Sequence, residues 1–128
     1  MKDDPELRKK TDEMLEKTRE LYGFVPVVNQ VLSERPDLFI PSNEFSRALM
    51  EGEGEMELKT RYLCAVAAAT AIGGEYCVVA QTRHAVDAGA SREEVLQAMV
   101  IGSQMAMTRA QSYAFRKYAE IFGVELEK

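Results

Sequence analysis

Apolar residues recur at the three- and four-residue spacing of α-helices along most of the chain, and no run has the alternation of a strand. Asp4 followed by Pro5 is typical of a helix start, because the aspartate caps the helix and proline is tolerated at its first position. The pattern therefore predicts a first helix from Pro5 to Tyr22, ended by Gly23. A short apolar helix is expected from Val27 to Leu32.

Prolines interrupt the next stretch. Pro36 and Pro41 punctuate an apolar pattern from Asp37 to Met50, which predicts a helix that is kinked or broken before Ser42. The alternating glutamates and glycines of residues 51–55 then predict a solvated, flexible connector.

The segment from Leu58 to Ile72 is rich in alanine and apolar on nearly every side, which predicts a central core helix buried on most of its faces. Gly73 and Gly74 end it. A second core helix is expected from Glu75 to about Ala88, before Gly89.

Ser91 and Glu94 have the spacing of a capping box, in which each side chain bonds the other residue's backbone N–H. They mark a further helix start. The pattern beyond it predicts two final helices, with a break near Gly102 and an end before Gly123. The sequence thus predicts an all-α fold of about six to seven helices.

The composition limits the expected number of domains, the partners and the location of the protein. A chain of 128 residues, 46% hydrophobic and 29% charged, is typical of one globular domain. A formal net charge of −5 argues against nucleic acid or an anionic membrane as a main partner. The uncharged apolar run from Leu63 to Gly74 is well short of the roughly 18 residues that a spanning helix needs. The charged start indicates no secretory signal, so a cytoplasmic location with reduced thiols is expected.

The chain has two cysteines, Cys64 and Cys77, and one histidine, His84, too few for a closed four-ligand zinc site within one chain. We therefore expect no metal and no cofactor. Cys77 lies in the first turn of its predicted helix, where unpaired N–H groups and the helix dipole favour a thiolate. It is a candidate nucleophile, and the alternative is a buried structural cysteine. Burial is the expectation for Cys64.

Several segments resemble the carboxymuconolactone decarboxylase family, which includes the AhpD-like alkylhydroperoxidases. The resemblance is carried by Leu58–Arg61 with the alanine-rich helix after it, Glu75-Tyr76-Cys77, and Thr82–Glu94, and by Leu21–Pro26 and Arg35–Leu38 in the lead-in. It implies an AhpD-like, all-α fold that assembles into homo-oligomers, commonly trimers or hexamers.

The resemblance also implies a site. The AhpD-like branch has a glutamate on the first core helix, a Cys-x-x-Cys at the next helix start, and a histidine four residues after the second cysteine. Here these positions hold Tyr62, Gly74, Cys77 and Gln81, so Cys77 alone matches. The decarboxylase branch keeps a histidine at the place of Gln81, which this chain also lacks.

Gln81 and His84 follow Cys77 by four and seven residues, on one helix face. Gln81 can hydrogen-bond the sulfur but cannot act as a base. His84 is about 10.5 Å along the helix, too far to take a proton from Cys77 directly. It could act through a bridging water or from another subunit, or be only a surface or subunit contact. Tyr62 could hydrogen-bond in the same pocket or simply fill space.

Three functions remain open. The preferred one is a single-cysteine thiol peroxidase with peroxiredoxin-type activity, in which Cys77 is the nucleophile and an external thiol is the reductant. The second is a non-catalytic or small-ligand-binding oligomer that has lost the relay. The third is a cofactor-free decarboxylase of a small carboxylated lactone, for which Arg83 and His84 are the candidate groups.

Overall fold

The computed structural model describes residues 4–127, which contain six α-helices and no strand. This confirms the predicted all-α class. The helices are α1 (Pro5–Tyr22), α2 (Val27–Leu32), α3 (Pro36–Glu51), α4 (Leu58–Ile72), α5 (Glu75–Asp87) and α6 (Arg92–Phe122).

The chain divides into two compact units, and the boundary falls between Glu55 and Met56. The first unit holds α1, α2 and α3, and the second holds α4, α5 and α6. That the two units form a single domain stays a prediction.

In the first unit, α1 has the predicted bounds. The Asp4 carboxylate accepts a hydrogen bond from the Glu6 N–H at 2.8 Å, and Gly23 ends the helix in the left-handed region at φ 77°. α1 packs against α3. Lys10 of α1 contacts Glu44 of α3 at 3.3 Å.

α3 runs unbroken through Pro41, so of the two outcomes predicted before Ser42, a kink or a break, the break is wrong. Pro41 lacks an N–H and therefore removes only its own bond to the carbonyl of Asp37. Its preceding neighbours Phe39 and Ile40 are buried, and this packing holds the helical turn that leads into the proline.

In the second unit, α4 packs against both α5 and α6 and is the central helix, as predicted. Its buried residues are Tyr62, Val66 and Ala69, which follow one another at helical spacing on one face. The prediction that most faces are buried is wrong for this chain. Cys64, for which burial was expected, is exposed because it lies off that face.

α6 is one continuous helix of 31 residues, so the predicted break near Gly102 is wrong. A Cβ at Gly102 would lie 2.2 Å from the carbonyl oxygen of Ala67 on α4. Glycine is therefore present because α4 and α6 approach closely, not because the helix ends. Among the described residues, no helix is both long and apolar enough to cross a membrane.

Candidate functional site

Cys77 is the third residue of α5. α4 ends at Gly73, whose φ of 74° lets the chain reverse, and Gly74 N–H closes the turn on the carbonyl of Ala69 at 2.9 Å. Gly74 is then the N-cap of α5 and supplies no side-chain cap. The first turn of a helix presents backbone N–H groups toward its start, and the Cys77 thiol is free and exposed there.

The space beside Cys77 is set by Gly74. A Cβ at position 74 would lie 3.3 Å from Cys77 Cβ and 3.7 Å from Cys77 Sγ. Gly74 has φ −79° and ψ 90°, a conformation outside the left-handed region that favours glycine. Position 74 therefore lies directly beside the Cys77 thiol, and glycine leaves the space for a side chain there unfilled.

Tyr62 lies against His84, not beside Cys77. Their rings stack with centroids 4.8 Å apart and planes 20° from parallel. Tyr62 is 5% exposed and His84 is half-buried. Because His84 is seven residues beyond Cys77 on α5, this pair lies about two helical turns from the thiol. The structure therefore brings together two of the four predicted site residues as a ring pair.

Gln81 lies between them, one turn after Cys77. Its Oε1 is buried without a hydrogen-bond partner, and so is Oγ1 of the next residue, Thr82. Sequence reasoning missed Thr82, because nothing in the pattern distinguishes a buried hydroxyl from an exposed one. The neighbouring Arg83 is exposed. α5 thus carries, on two consecutive residues, buried oxygens that can accept hydrogen bonds.

Charge is concentrated at the start of α6. The backbone of Ser91 and the side chain of Lys59, 3.1 Å away, hold the pKa of Glu94 below its ordinary value. This pair joins the first turn of α6 to α4. Among residues 4–127, no three His, Cys, Asp or Glu side chains are grouped so that they could hold a metal ion.

Comparison with known proteins gives one match. The model of the carboxymuconolactone decarboxylase family matches residues 36–120, from the start of α3 to near the end of α6. Searches of curated proteins and of solved structures gave no significant match.

Proposed function

Because the chain belongs to the carboxymuconolactone decarboxylase family, we propose that it is an AhpD-like protein that reduces hydroperoxides with Cys77 as its single redox thiol. The observation that carries this proposal is an exposed, free thiol in the first turn of α5. A helix start stabilises a thiolate, and the thiolate is the nucleophile in peroxide reduction.

The chemistry has two stages. The Cys77 thiolate attacks the terminal oxygen of the hydroperoxide, the O–O bond breaks, and the alcohol leaves with a proton, so that sulfur becomes a sulfenate. With Gly74 in place of a second cysteine, an external thiol then condenses with the sulfenic acid and releases water. A second external thiol breaks the mixed disulfide and restores Cys77.

The other residues have supporting parts in this proposal. In this proposal Gln81, one turn away, orients the hydroperoxide, since its Oε1, which has no hydrogen-bond partner, can accept a hydrogen bond from the terminal O–H. The stack of Tyr62 on His84 holds the imidazole about two turns from the sulfur. His84 would then reach the reacting atoms only through water.

Cysteine replacement tests the activity. Hydroperoxide consumption is measured with a small dithiol as reductant, for the wild type, Cys77→Ser and Cys64→Ser. Cys64 is the matched control, because it is also free and exposed but lies in the middle of α4. We expect Cys77→Ser to abolish consumption and Cys64→Ser to retain it. Equal turnover by Cys77→Ser and the wild type would overturn the proposal.

A second candidate function is binding of a small ligand without catalysis. The buried oxygens of Gln81 and Thr82, which have no hydrogen-bond partner, favour it, because a ligand with N–H or O–H groups would supply the kind of donor that each lacks. The rates of alkylation at neutral pH separate the two candidates. A helix-start thiolate should make Cys77 react about two- to fivefold faster than Cys64, from the usual free energy of a charge at a helix end. Equal rates would favour the binding function.

A further inference from the structure

A small space lies beside the sulfur of Cys77, on the side of the start of α5. The three heavy atoms nearest to a Cβ built at Gly74 would be Cβ and Sγ of Cys77, at 3.3 and 3.7 Å, and the carbonyl oxygen of Ala69, at 3.8 Å. Glycine therefore leaves a space about the size of one methyl group next to the sulfur. We call this space the notch.

Cys77 has a different neighbour on each side along its helix. Gly74 is one turn before it and Gln81 is one turn after it, and residues at this spacing share a helix face. Side chains of a helix lean toward its start, so that of Gln81 leans toward Cys77. Gln81 Oε1 is buried and has no hydrogen-bond partner among the described residues. It can bind the O–H of a hydroperoxide or of a sulfenic acid.

The notch is a poor place for an oxygen atom on the sulfur of Cys77. It is bounded by the carbonyl oxygen of Ala69, which already accepts the Gly74 N–H at 2.9 Å. The partial negative charge of a carbonyl oxygen repels a second oxygen that brings no donor to it. Oxygen bound to Cys77 is therefore favoured on the side of Gln81, where a free acceptor can take its proton in a hydrogen bond.

We infer that the outside thiol, a primary aliphatic thiol, reaches Cys77 through the notch, opposite the oxygen that Gln81 binds. This rests on the proposed peroxidase function. The thiol sulfur forms an S–S bond with Cys77 as the S–O bond of the sulfenic acid breaks. The oxygen leaves as water and carries the proton of the incoming thiol. Displacement at sulfur needs the entering and leaving atoms on opposite sides, which the notch and Gln81 provide.

The size of the notch makes glycine the determinant of this access. An S–S bond is about 2.05 Å long, so a sulfur bonded to Cys77 in the notch would lie within about 2 Å of a methyl group at position 74. Ordinary contacts are about 3.5–4.0 Å. The backbone of Gly74, at φ −79° and ψ 90°, would itself accept alanine. Alanine should therefore obstruct the outside thiol.

The two half-reactions are measured separately in a Cys64→Ser background. For oxidation, the reduced protein is mixed with a hydroperoxide and the sulfenic acid is trapped with a 1,3-dione. For reduction, the sulfenic acid form is mixed with 2-mercaptoethanol and the mixed disulfide is followed. Intact mass measures both products. Circular dichroism verifies that every variant keeps its helical content.

We expect Gly74→Ala and Gly74→Ser to slow reduction about tenfold and oxidation by less than about twofold. Serine is a better N-cap than alanine, so a loss shared by both variants reports the filled notch and not a weakened helix start. Gln81→Leu should slow oxidation about three- to tenfold, from the loss of one hydrogen bond.

Val79→Ala is the control, because Val79 is exposed on another face of α5. It should leave both rates within about twofold of the wild type. Reduction that is as fast in Gly74→Ala as in the wild type would overturn the inference. Equal slowing of both half-reactions in Gly74→Ala would overturn it too.

A measurement without peroxide separates this inference from the proposed function. If the wild type forms no sulfenic acid, the proposed function fails, and the notch is tested by exchange of Cys77 with 2-hydroxyethyl disulfide. This exchange also brings an outside sulfur to Cys77 Sγ. Gly74→Ala should slow it about tenfold, and an unchanged rate would overturn the inference.

Discussion

Cys64 and Cys77 are both exposed, free thiols, and they differ in where they lie along their helices. Cys77 is the third residue of α5, whereas Cys64 lies in the middle of α4. The sequence predicted the first position, because Gly73 and Gly74 mark a helix start. It did not predict the exposure of Cys64, which depends on which face of α4 packs against its neighbours.

Gly74→Cys should create a redox pair with Cys77. The new Cβ would lie 3.3 Å from Cys77 Cβ, close to the usual separation in disulfides of about 3.5–4.5 Å, so a small shift suffices. Mild oxidation should therefore leave one titratable thiol, Cys64, of the three in this variant. Thiol titration and intact mass measure this.

Val79→Cys is the control for that pair. Position 79 is two residues beyond Cys77 and lies on another face of α5, so all three thiols should persist. A Gly74→Cys variant that also kept three thiols would contradict the geometry at the start of α5.

The stack of Tyr62 on His84 marks the limit of sequence reasoning at the site. Spacing along α5 places Gln81 and His84 on the face that carries Cys77, since helical periodicity is local. Which of them Tyr62 meets depends on how α4 and α5 are aligned, and no periodicity encodes this. The same applies to the buried oxygen of Thr82.

At the scale of helices, most starts and ends follow from local chemistry. The Ser91–Glu94 capping box is present as predicted, with both hydrogen bonds at 3.0 Å. The predictions that were wrong concern residues whose effect on the helix depends on tertiary packing. Pro41 lies within a helix held by buried neighbours, and Gly102 serves a close helix crossing.

Gly102→Ala should destabilise the protein by about 1–2 kcal/mol. The added methyl would clash with the carbonyl of Ala67, and alanine's better helix propensity offsets part of that strain. Urea unfolding measures the loss. Ser112→Ala, an exposed change on the same helix, should stay within about 0.5 kcal/mol of the wild type. Equal stability of Gly102→Ala and the wild type would argue against the close crossing.

Glu94 should make stability depend on acid pH. Its pKa is lowered in the folded protein by the Ser91 backbone and by Lys59, so its contribution is present above the unfolded value of about 4.3. That contribution is lost as pH falls through the folded value.

Glu94→Gln isolates this charge, because glutamine can keep the capping box but not the ion pair with Lys59. The urea midpoints of the wild type and the variant should differ near neutrality and converge as the pH falls from the unfolded value of about 4.3 through the lower folded value. A difference that is the same at every pH would contradict the assignment.

At the scale of the whole molecule, the all-α class and the family both followed from the sequence. Helical periodicity gives the class, and the segments that resemble the carboxymuconolactone decarboxylase family give the family, which the family match confirms. The match covers residues 36–120. It therefore includes α3 of the first unit and extends from α4 to near the end of α6 in the second. We therefore propose that the two units fold as one domain.

One domain should unfold in one step. Helix content followed by circular dichroism and tertiary packing followed by tyrosine fluorescence should give the same denaturant midpoint. The chain has five tyrosines and no tryptophan, and Tyr22 reports on the first unit while Tyr62 reports on the second. Two separated midpoints would show that the units are independent.

The glycine at position 74 also affects how long an oxidised form of Cys77 would last. Under the proposed function, a sulfenate on Cys77 would find no thiol at position 74, so its lifetime would depend on how often a thiol arrives from solution. Where thiols are plentiful, the oxidised form would vanish at once. Where they are depleted, it would accumulate and persist, and the oxidised fraction of Cys77 would report the balance between peroxide and thiol supply.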